Sequence, residues 1–296
     1  MVSFAGKTTR HSPLPLPSRE GKNMKESTMI KTIIAGAGGR MGGRIVQLIN
    51  ETQEITVVGA LEKAGHPSVG KDLGEWLGLG TKGLPITADL NEVIDQGEVI
   101  IDFTFHSASL ENLRTAAARK KPIVIGSTGF TAGEMEEIKT LCQSVPCLLA
   151  PNMSVGVNVL FKVVGDVAKA LGEGFDIEIL EVHHNLKKDA PSGTAMKLAQ
   201  ILAQARSQDL DKVAVYERKG IIGERKPEEI GIQTFRAGDI IGEHTVLFGG
   251  LGERIEIIHR AHSRDTFARG ALRAAKWIIG QKNGLYDMQD VLGLKD

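Results

Sequence analysis

KTIIAGAGGRMGGRIVQLIN, residues 31–50, opens with a β-branched apolar run and passes through Gly36, Gly38, Gly39 and Gly42. It then sets Met41, Ile45, Leu48 and Ile49 at helical spacing. That order predicts a strand, a tight turn and a helix. Gly36, Gly39 and Gly42 follow G-x-x-G-x-x-G, whereas the commoner G-x-G-x-x-G fails at Met41. Either spacing lets the backbone turn sharply and approach a pyrophosphate, whose charge meets unpaired N–H groups at the helix start. The candidate phosphate loop is therefore Gly36, Ala37, Gly38, Gly39, Arg40, Met41 and Gly42. Taken alone, such a turn is equally an ordinary β-to-α connection. What favours dinucleotide binding is the next β-rich run, ITVVGALEK, which ends on Glu62, an acid placed to accept the hydroxyls of an adenosine ribose. Lys63, beside it, suits a 2′-phosphate.

The alternation continues. EVIIDFT (98–104), PIVIGSTGF (122–130) and CLLAPN (147–152) read as buried strands, with SASLENLRTAAARK (107–120) and TAGEMEEIKTLCQS (131–144) as helices between them. The second helix opens with a Thr131/Glu134 capping box. Repeated βα units predict a Rossmann-like, doubly wound parallel sheet that binds ligands at the carboxyl ends of its strands. Those ends offer Phe103 and Thr104, Gly126, Ser127 and Thr128, then Ala150, Pro151, Asn152 and Met153 to the cofactor. Individually, each is also an ordinary strand-end residue.

Beyond Asn152 the pattern changes. A helix over about 154–171 precedes the strand FDIEILEVHH (175–184) and the helix SGTAMKLAQILAQAR (192–206). VAVYER, IGIQTFRA, EHTVLF and RIEIIHRA then follow as strands without helices between them, which implies a mixed sheet in a second α+β domain. TFARGALRAAKWIIG is amphipathic and returns to the first domain. The expected organisation is a disordered leader over 1–29, a dinucleotide domain over 30–154 plus 264–296, and a substrate and oligomerisation domain over 155–263. Met24 and Met29 are alternative starts.

Composition narrows the function. Lys+Arg and Asp+Glu balance at 36 each, so no global charge draws the chain to nucleic acid or to an anionic membrane. No run approaches the ~18 apolar residues of a membrane-spanning helix. Cys142 and Cys147 complete neither a zinc site nor a disulfide framework, and point to a reducing compartment, the cytoplasm.

EVHHNLKKDAPSGTA, residues 181–195, gathers histidines and lysines where a strand emerges into a loop. His183 and His184 are adjacent, so on a strand they face opposite ways. Lys187 and Lys188 would repel a metal cation, and no carboxylate or cysteine pattern completes a ligand shell, so no metal is assigned. An anionic substrate fits better: Lys187 and the Ser192-Gly193-Thr194 turn at a helix N-terminus would hold carboxylates, and a histidine with an unperturbed pKa of ~6.5 would supply a proton.

GAGGRMG, DFT (102–104), GSTGF (126–130), APNMSVGVN (150–158), E-x-HH-x-x-K-x-DAPSGTA and RAGDIIGEHTVLF resemble the 4-hydroxy-tetrahydrodipicolinate reductase (dihydrodipicolinate reductase) family of bacterial lysine and diaminopimelate synthesis. The resemblance spans roughly Ile30 to Leu294; Lys63 departs from the arginine of some relatives. It implies hydride transfer from NADH or NADPH to a cyclic imine dicarboxylate, yielding tetrahydrodipicolinate. It implies His183 as the proton donor or its organiser, and Lys187 as a carboxylate anchor that also steadies developing charge. Ser192, Gly193 and Thr194 would bind a substrate carboxylate, and His184 would line the substrate site. The family commonly forms homotetramers through the second domain's sheet. Arg264, which opens the return segment, is expected near the cleft. Two rivals share the first domain: an amino-acid dehydrogenase, which would lack the HHxxK and SGT pair, and an NAD(P)-reading regulator, which would need a basic recognition helix.

Overall fold

The computed structural model describes residues 29–295, so the expected leader, apart from Met29, lies outside the described residues. The first half runs β1 (Ile30–Ala35), α1 (Arg40–Asn50), β2 (Ile55–Leu61), α2 (Leu73–Trp76), β3 (Ile86–Thr87), β4 (Val99–Asp102), α3 (His106–Arg119), β5 (Ile123–Ile125), α4 (Ala132–Leu141) and β6 (Pro146–Leu149). The second half runs α5 (Val155–Leu171), β7 (Asp176–His183), α6 (Gly193–Ala205), α7 (Leu210–Val213), β8 (Ala214–Val215), β9 (Ile230–Arg236), β10 (Gly242–Gly249) and β11 (Arg254–Ala261). It closes with α8 (Asp265–Ile278), β12 (Gly284–Tyr286) and α9 (Met288–Leu292).

The first sheet is parallel throughout, in the order β12-β6-β5-β4-β1-β2-β3. β1 sits inside it, and Ile33 and Ile34, which point to opposite faces, are both fully buried. That explains why its sequence is continuously apolar rather than alternating. Burying each such side chain contributes about 1.5–3 kcal/mol relative to exposure. One face is covered by Ile45, Leu48 and Ile49 of α1 with Ala271, Ala275 and Ile278 of α8. The other is covered by Leu110, Leu113 and Ala116 of α3 with Ile138 of α4. The small residues of α8 permit close approach, and Gly270 lies against the Met153 carbonyl, where a Cβ would collide. The capping box on α4 is present, with the Thr131 hydroxyl accepting from the Glu134 amide and the Glu134 carboxylate from the Thr131 amide.

The second sheet is mixed, ordered β11-β10-β7-β9-β8. β10 pairs antiparallel with β11 and β7, while β9 pairs parallel with β7 and β8. Leu160, Val164 and Ala168 of α5 and Leu198, Ala199 and Leu202 of α6 cover the face carrying Ile177, Ile179, Val246 and Phe248. The opposite face keeps Phe235 54% and Ile258 41% exposed, so the helices bury one side only. VAVYER is a strand only over Ala214–Val215: Asp209 caps a short helix before it, and Arg218 turns out of the sheet to pair with Glu178. Among the described residues, no helix is long and apolar enough to cross a membrane.

Candidate active site

At the carboxyl ends of β1, β4 and β5 three loops stack against each other. Gly36 has φ +79°, and a Cβ there would press on the Phe103 carbonyl oxygen and on Thr104 Cγ2. A Cβ on Gly126 would strike the Phe103 ring, and one on Gly42 would collide with the Gly36 carbonyl. Glycine at 36 and 42 is therefore a packing requirement of the turn, and at 36 a conformational one as well. Helix α1 starts at Arg40 after Gly39, and among the described residues no side chain caps it and no acid lies in its first turn. This cradle fits a dinucleotide pyrophosphate. The Glu62 carboxylate, just past the end of β2, accepts from the Gly38 amide at 3.2 Å and the Lys63 amide at 3.0 Å, which fixes it beside the loop. The Lys63 side chain is exposed.

Behind the loops, Asp102 is fully buried. It accepts from the Thr104 amide at 2.9 Å, the Thr104 hydroxyl at 2.6 Å, the Ser109 hydroxyl at 2.8 Å and Asn112 Nδ2 at 2.7 Å. Burial pushes this carboxyl upward against those hydrogen bonds. Ser109 also lies 2.7 Å from the Ser127 hydroxyl, so one carboxylate ties the loop after β4 to the loop after β5. Ser127 and Met153, both expected at the cofactor, are buried.

A cleft of about 1260 Å³ opens between the two sheets. Thr128, Ala150, Pro151 and Asn152 line it from the first sheet; His183, His184, Lys187, Ser192, Gly193 and Thr194 line it from the second; Arg264 and Phe267 line it from the returning segment. The glycine loop, Glu62, Lys63, Phe103, Thr104, Gly126 and Ser127 are not among its lining residues, and occupy the neighbouring strand ends. Asn152 Nδ2 donates to the Thr194 hydroxyl across 3.2 Å and joins the two groups of elements.

Helix α6 begins where the lysine loop ends. Ser192 caps it by accepting from the Ala195 amide at 3.2 Å, and is only 2% exposed. Its own amide donates to Glu181 Oε1 at 3.0 Å. Ser192 is thus committed inward, and the first-turn amides of Gly193 and Thr194 are the donors this turn leaves for an anion. Lys187 Nζ donates to both oxygens of Asp189 at 2.9 Å, and this bond holds the Asp189 carboxyl below its ordinary value. His184 lies just past the end of β7, and its buried Nδ1 has no hydrogen-bond partner among the described residues.

The residue absent from the sequence reading is Glu181. It is fully buried on the same face of β7 as Ile177 and Ile179. His183 Nδ1, the Thr234 hydroxyl at 3.2 Å and two nitrogens of Arg236 at 2.9 and 3.0 Å converge on its carboxylate. Burial alone would raise this carboxyl, but bonds from His183, Arg236 and the Ser192 amide overcome it and bring it to about 2. His244 stands against His183 with ring centroids 5.2 Å apart, and burial, then the neighbouring His183, lowers it to about 3, so it is neutral. An acidic side chain in the inward phase of an apolar strand was the available signal for Glu181. Nothing local marks Arg236, which arrives from β9.

Comparison with known proteins identifies the family. The family model described as Dihydrodipicolinate reductase, N-terminus, matches residues 30–153, and that described as Dihydrodipicolinate reductase, C-terminus, matches residues 156–292. The 4-hydroxy-tetrahydrodipicolinate reductase of Syntrophus aciditrophicus (strain SB) is 61% identical over 267 residues, covering 90% of this chain and 100% of that protein. That of Syntrophobacter fumaroxidans (strain DSM 10017 / MPOB) is 58% identical over the same shares of each chain. Among solved structures, a dipicolinate-bound dihydrodipicolinate reductase from Paenisporosarcina sp. TG-14 superposes with a TM-score of 0.68 at 25% identity, covering 89% of this chain and 99% of that one. An amine dehydrogenase from Mycobacterium smegmatis, at 14% identity and a TM-score of 0.53 over 86% of this chain and 94% of its own, shares the fold.

Proposed function

This chain belongs to the dihydrodipicolinate reductase family, and from that premise we propose that it reduces 4-hydroxy-tetrahydrodipicolinate, by way of dihydrodipicolinate, to tetrahydrodipicolinate with NADH or NADPH in lysine and diaminopimelate biosynthesis. The observation that carries the reading is the single cleft in which Lys187, the Gly193-Thr194 amides, His183 and Arg264 face strand ends of the first sheet.

The bound nicotinamide coenzyme supplies hydride. Gly36 to Gly42 hold its pyrophosphate, Glu62 its adenosine ribose and Lys63 a 2′-phosphate when one is present. Phe103, Thr104, Gly126, Ser127, Thr128 and Ala150 to Met153 shape the nicotinamide side. Residues 30–154 and 264–296 carry this half of the work, and residues 155–263 carry the substrate. Lys187 and the α6 amides hold the substrate carboxylates, with His184 at the wall. As the substrate receives hydride it becomes an enamine-like anion, which Lys187 stabilises and His183 protonates.

The half-open face of the second sheet, with Phe235 and Ile258 outward, supports assembly into a homotetramer, which light scattering reads directly. The protein works in the cytoplasm. The proposal is tested by inhibition with pyridine-2,6-dicarboxylate. The inhibitor should compete with substrate and not with coenzyme; competition with coenzyme alone would remove the dicarboxylate from this cleft.

A further inference from the structure

Reduction by this route needs one proton delivered as hydride arrives, and His183, His184, His244 and His259 gather at this end of the second sheet. We propose that Glu181, clamped by Arg236, is the positioning residue that fixes the His183 ring with Nδ1–H inward and Nε2 toward the cleft, so that Nε2 is the nitrogen that gives the proton. The inference rests on the reductase reading above.

A buried carboxylate is costly unless it is paired and hydrogen-bonded. Glu181 is fully buried, and Arg236 alone would complete a structural pair by gripping both oxygens. The carboxylate nevertheless spends Oε2 on His183 as well. An ionised carboxylate can only accept, so His183 must donate from Nδ1, and this fixes both the ring's orientation and the nitrogen left for chemistry. The other nitrogen lies over Gly242, where a Cβ would stand 3.1 Å from Nε2 and crowd the ring, and His183 is among the residues that line the cleft.

The other sheet histidines and the nearby cations lack this arrangement, and His184, beyond the end of β7, has no carboxylate on its buried Nδ1 among the described residues. His244, on β10, is buried and neutral, and its Nδ1 has no partner among the described residues. His259, on β11, is lowered by burial and faces no carboxylate within hydrogen-bond reach among the described residues. Lys187 is paired with Asp189 on the loop beyond β7, and Arg236, on β9, is engaged with Glu181. His183 therefore holds the one histidine–carboxylate pair at this end of the sheet among the described residues. In the step itself the Nε2–H bond breaks and a C–H bond forms from the electron pair of the enamine-like anion. The ring is left neutral with Nδ1–H still on Glu181, and solvent restores the lost proton.

The test combines kinetics with imidazole nitrogen NMR. Glu181→Gln keeps size and hydrogen-bonding capacity while removing the charge. It should lower kcat by about 10²-fold, the scale of a misdirected acid–base histidine, with KM for substrate and affinity for NADH within about twofold of the parent. In the histidine-labelled parent, a strongly deshielded Nδ1 proton, assigned by its loss in His183→Asn, should be present without any substrate. It should move upfield in Glu181→Gln and persist in Arg236→Lys. A parent His183 without a proton on Nδ1, or a folded Glu181→Gln with parental turnover, overturns the proposal. So does a Glu181→Gln enzyme that loses inhibitor and coenzyme affinity as much as turnover, because that is a merely structural loss. Should Glu181→Gln not fold, the parent spectrum and Arg236→Lys still decide. A parent that never oxidises coenzyme with the substrate contradicts the reductase reading instead, and leaves the ring assignment to the NMR result.

Discussion

Asn152 donates to the Thr194 hydroxyl at 3.2 Å, so the loop that follows β6 of the parallel sheet is hydrogen-bonded to the first turn of α6, which lines the cleft from the second sheet. Asn152 is itself held, its side-chain oxygen accepting from the Ser154 amide at 2.9 Å and its carbonyl from Asn158 Nδ2 at 2.9 Å. The bond is placed to register one binding surface against the other. Asn152→Ala removes this bond, worth about 0.5–1.5 kcal/mol or a factor of roughly 2 to 10, together with the one its side-chain oxygen accepts from the Ser154 amide. Steady-state kinetics should show KM rising for both coenzyme and substrate; a rise confined to one would mean that the contact does not couple the two.

Lys187 is latched to Asp189 at 2.9 Å, and a substrate carboxylate would take the aspartate's place. Loss of a charge-assisted bond of about 1.5–3 kcal/mol predicts that Lys187→Ala binds a pyridine dicarboxylate roughly 10- to 100-fold more weakly and also turns over more slowly. His183→Ala should lower turnover by about 10²- to 10⁴-fold with little change in NADH affinity. Lys188→Ala, at an exposed position, is the control. Calorimetric titration separates these cases, and undiminished inhibitor binding by Lys187→Ala would remove it from the anchor role.

Much of this arrangement is legible in the chain because the signals are local. The Gly36–Gly42 turn, the Thr131/Glu134 cap and the strand FDIEILEVHH each lie within a few residues. The elements that escape reading are short or defined by distant partners. Strand β12 has three residues, too few for a period, and exists because it pairs with β6. VAVYER stays a strand only over Ala214–Val215, and Arg218 beyond it pairs with Glu178 of β7, a partner distant in sequence. The Glu181–Arg236 pair joins residues 55 apart in sequence through parallel pairing of β7 and β9, which no local pattern encodes.

Acid stability follows from two buried groups. His244 falls from an ordinary 6.5 to about 3 in the folded protein, and Glu181 from 4.5 to about 2. In each case the unfolded chain binds the proton first. Stability is thus intact above pH 6.5 and declines as pH falls, through His244 toward about 3 and through Glu181 between 4.5 and about 2. Each group adds a slope approaching about 1.4 kcal/mol per pH unit within its window. Denaturant midpoints between about pH 6 and pH 5 should fall less steeply for His244→Gln than for the parent. Parallel slopes would mean that His244 is not the group responsible.

Coenzyme choice turns on adjacent residues with opposite preferences. Glu62 is fixed beside the glycine loop by the Gly38 and Lys63 amides, and suits a free ribose. The exposed Lys63 side chain suits a 2′-phosphate. Both NADH and NADPH should serve, and Lys63→Ala should weaken NADPH more than NADH in fluorescence titrations. Equal losses would take Lys63 out of phosphate recognition.

The most direct measurement follows coenzyme absorbance after the purified protein is mixed with the freshly formed condensation product of aspartate semialdehyde and pyruvate. The account predicts substrate-dependent oxidation of NADH and of NADPH, one coenzyme consumed per product formed, and strongly reduced turnover in Lys187→Ala. Absence of oxidation with either coenzyme, from a folded parent that binds both, would contradict it.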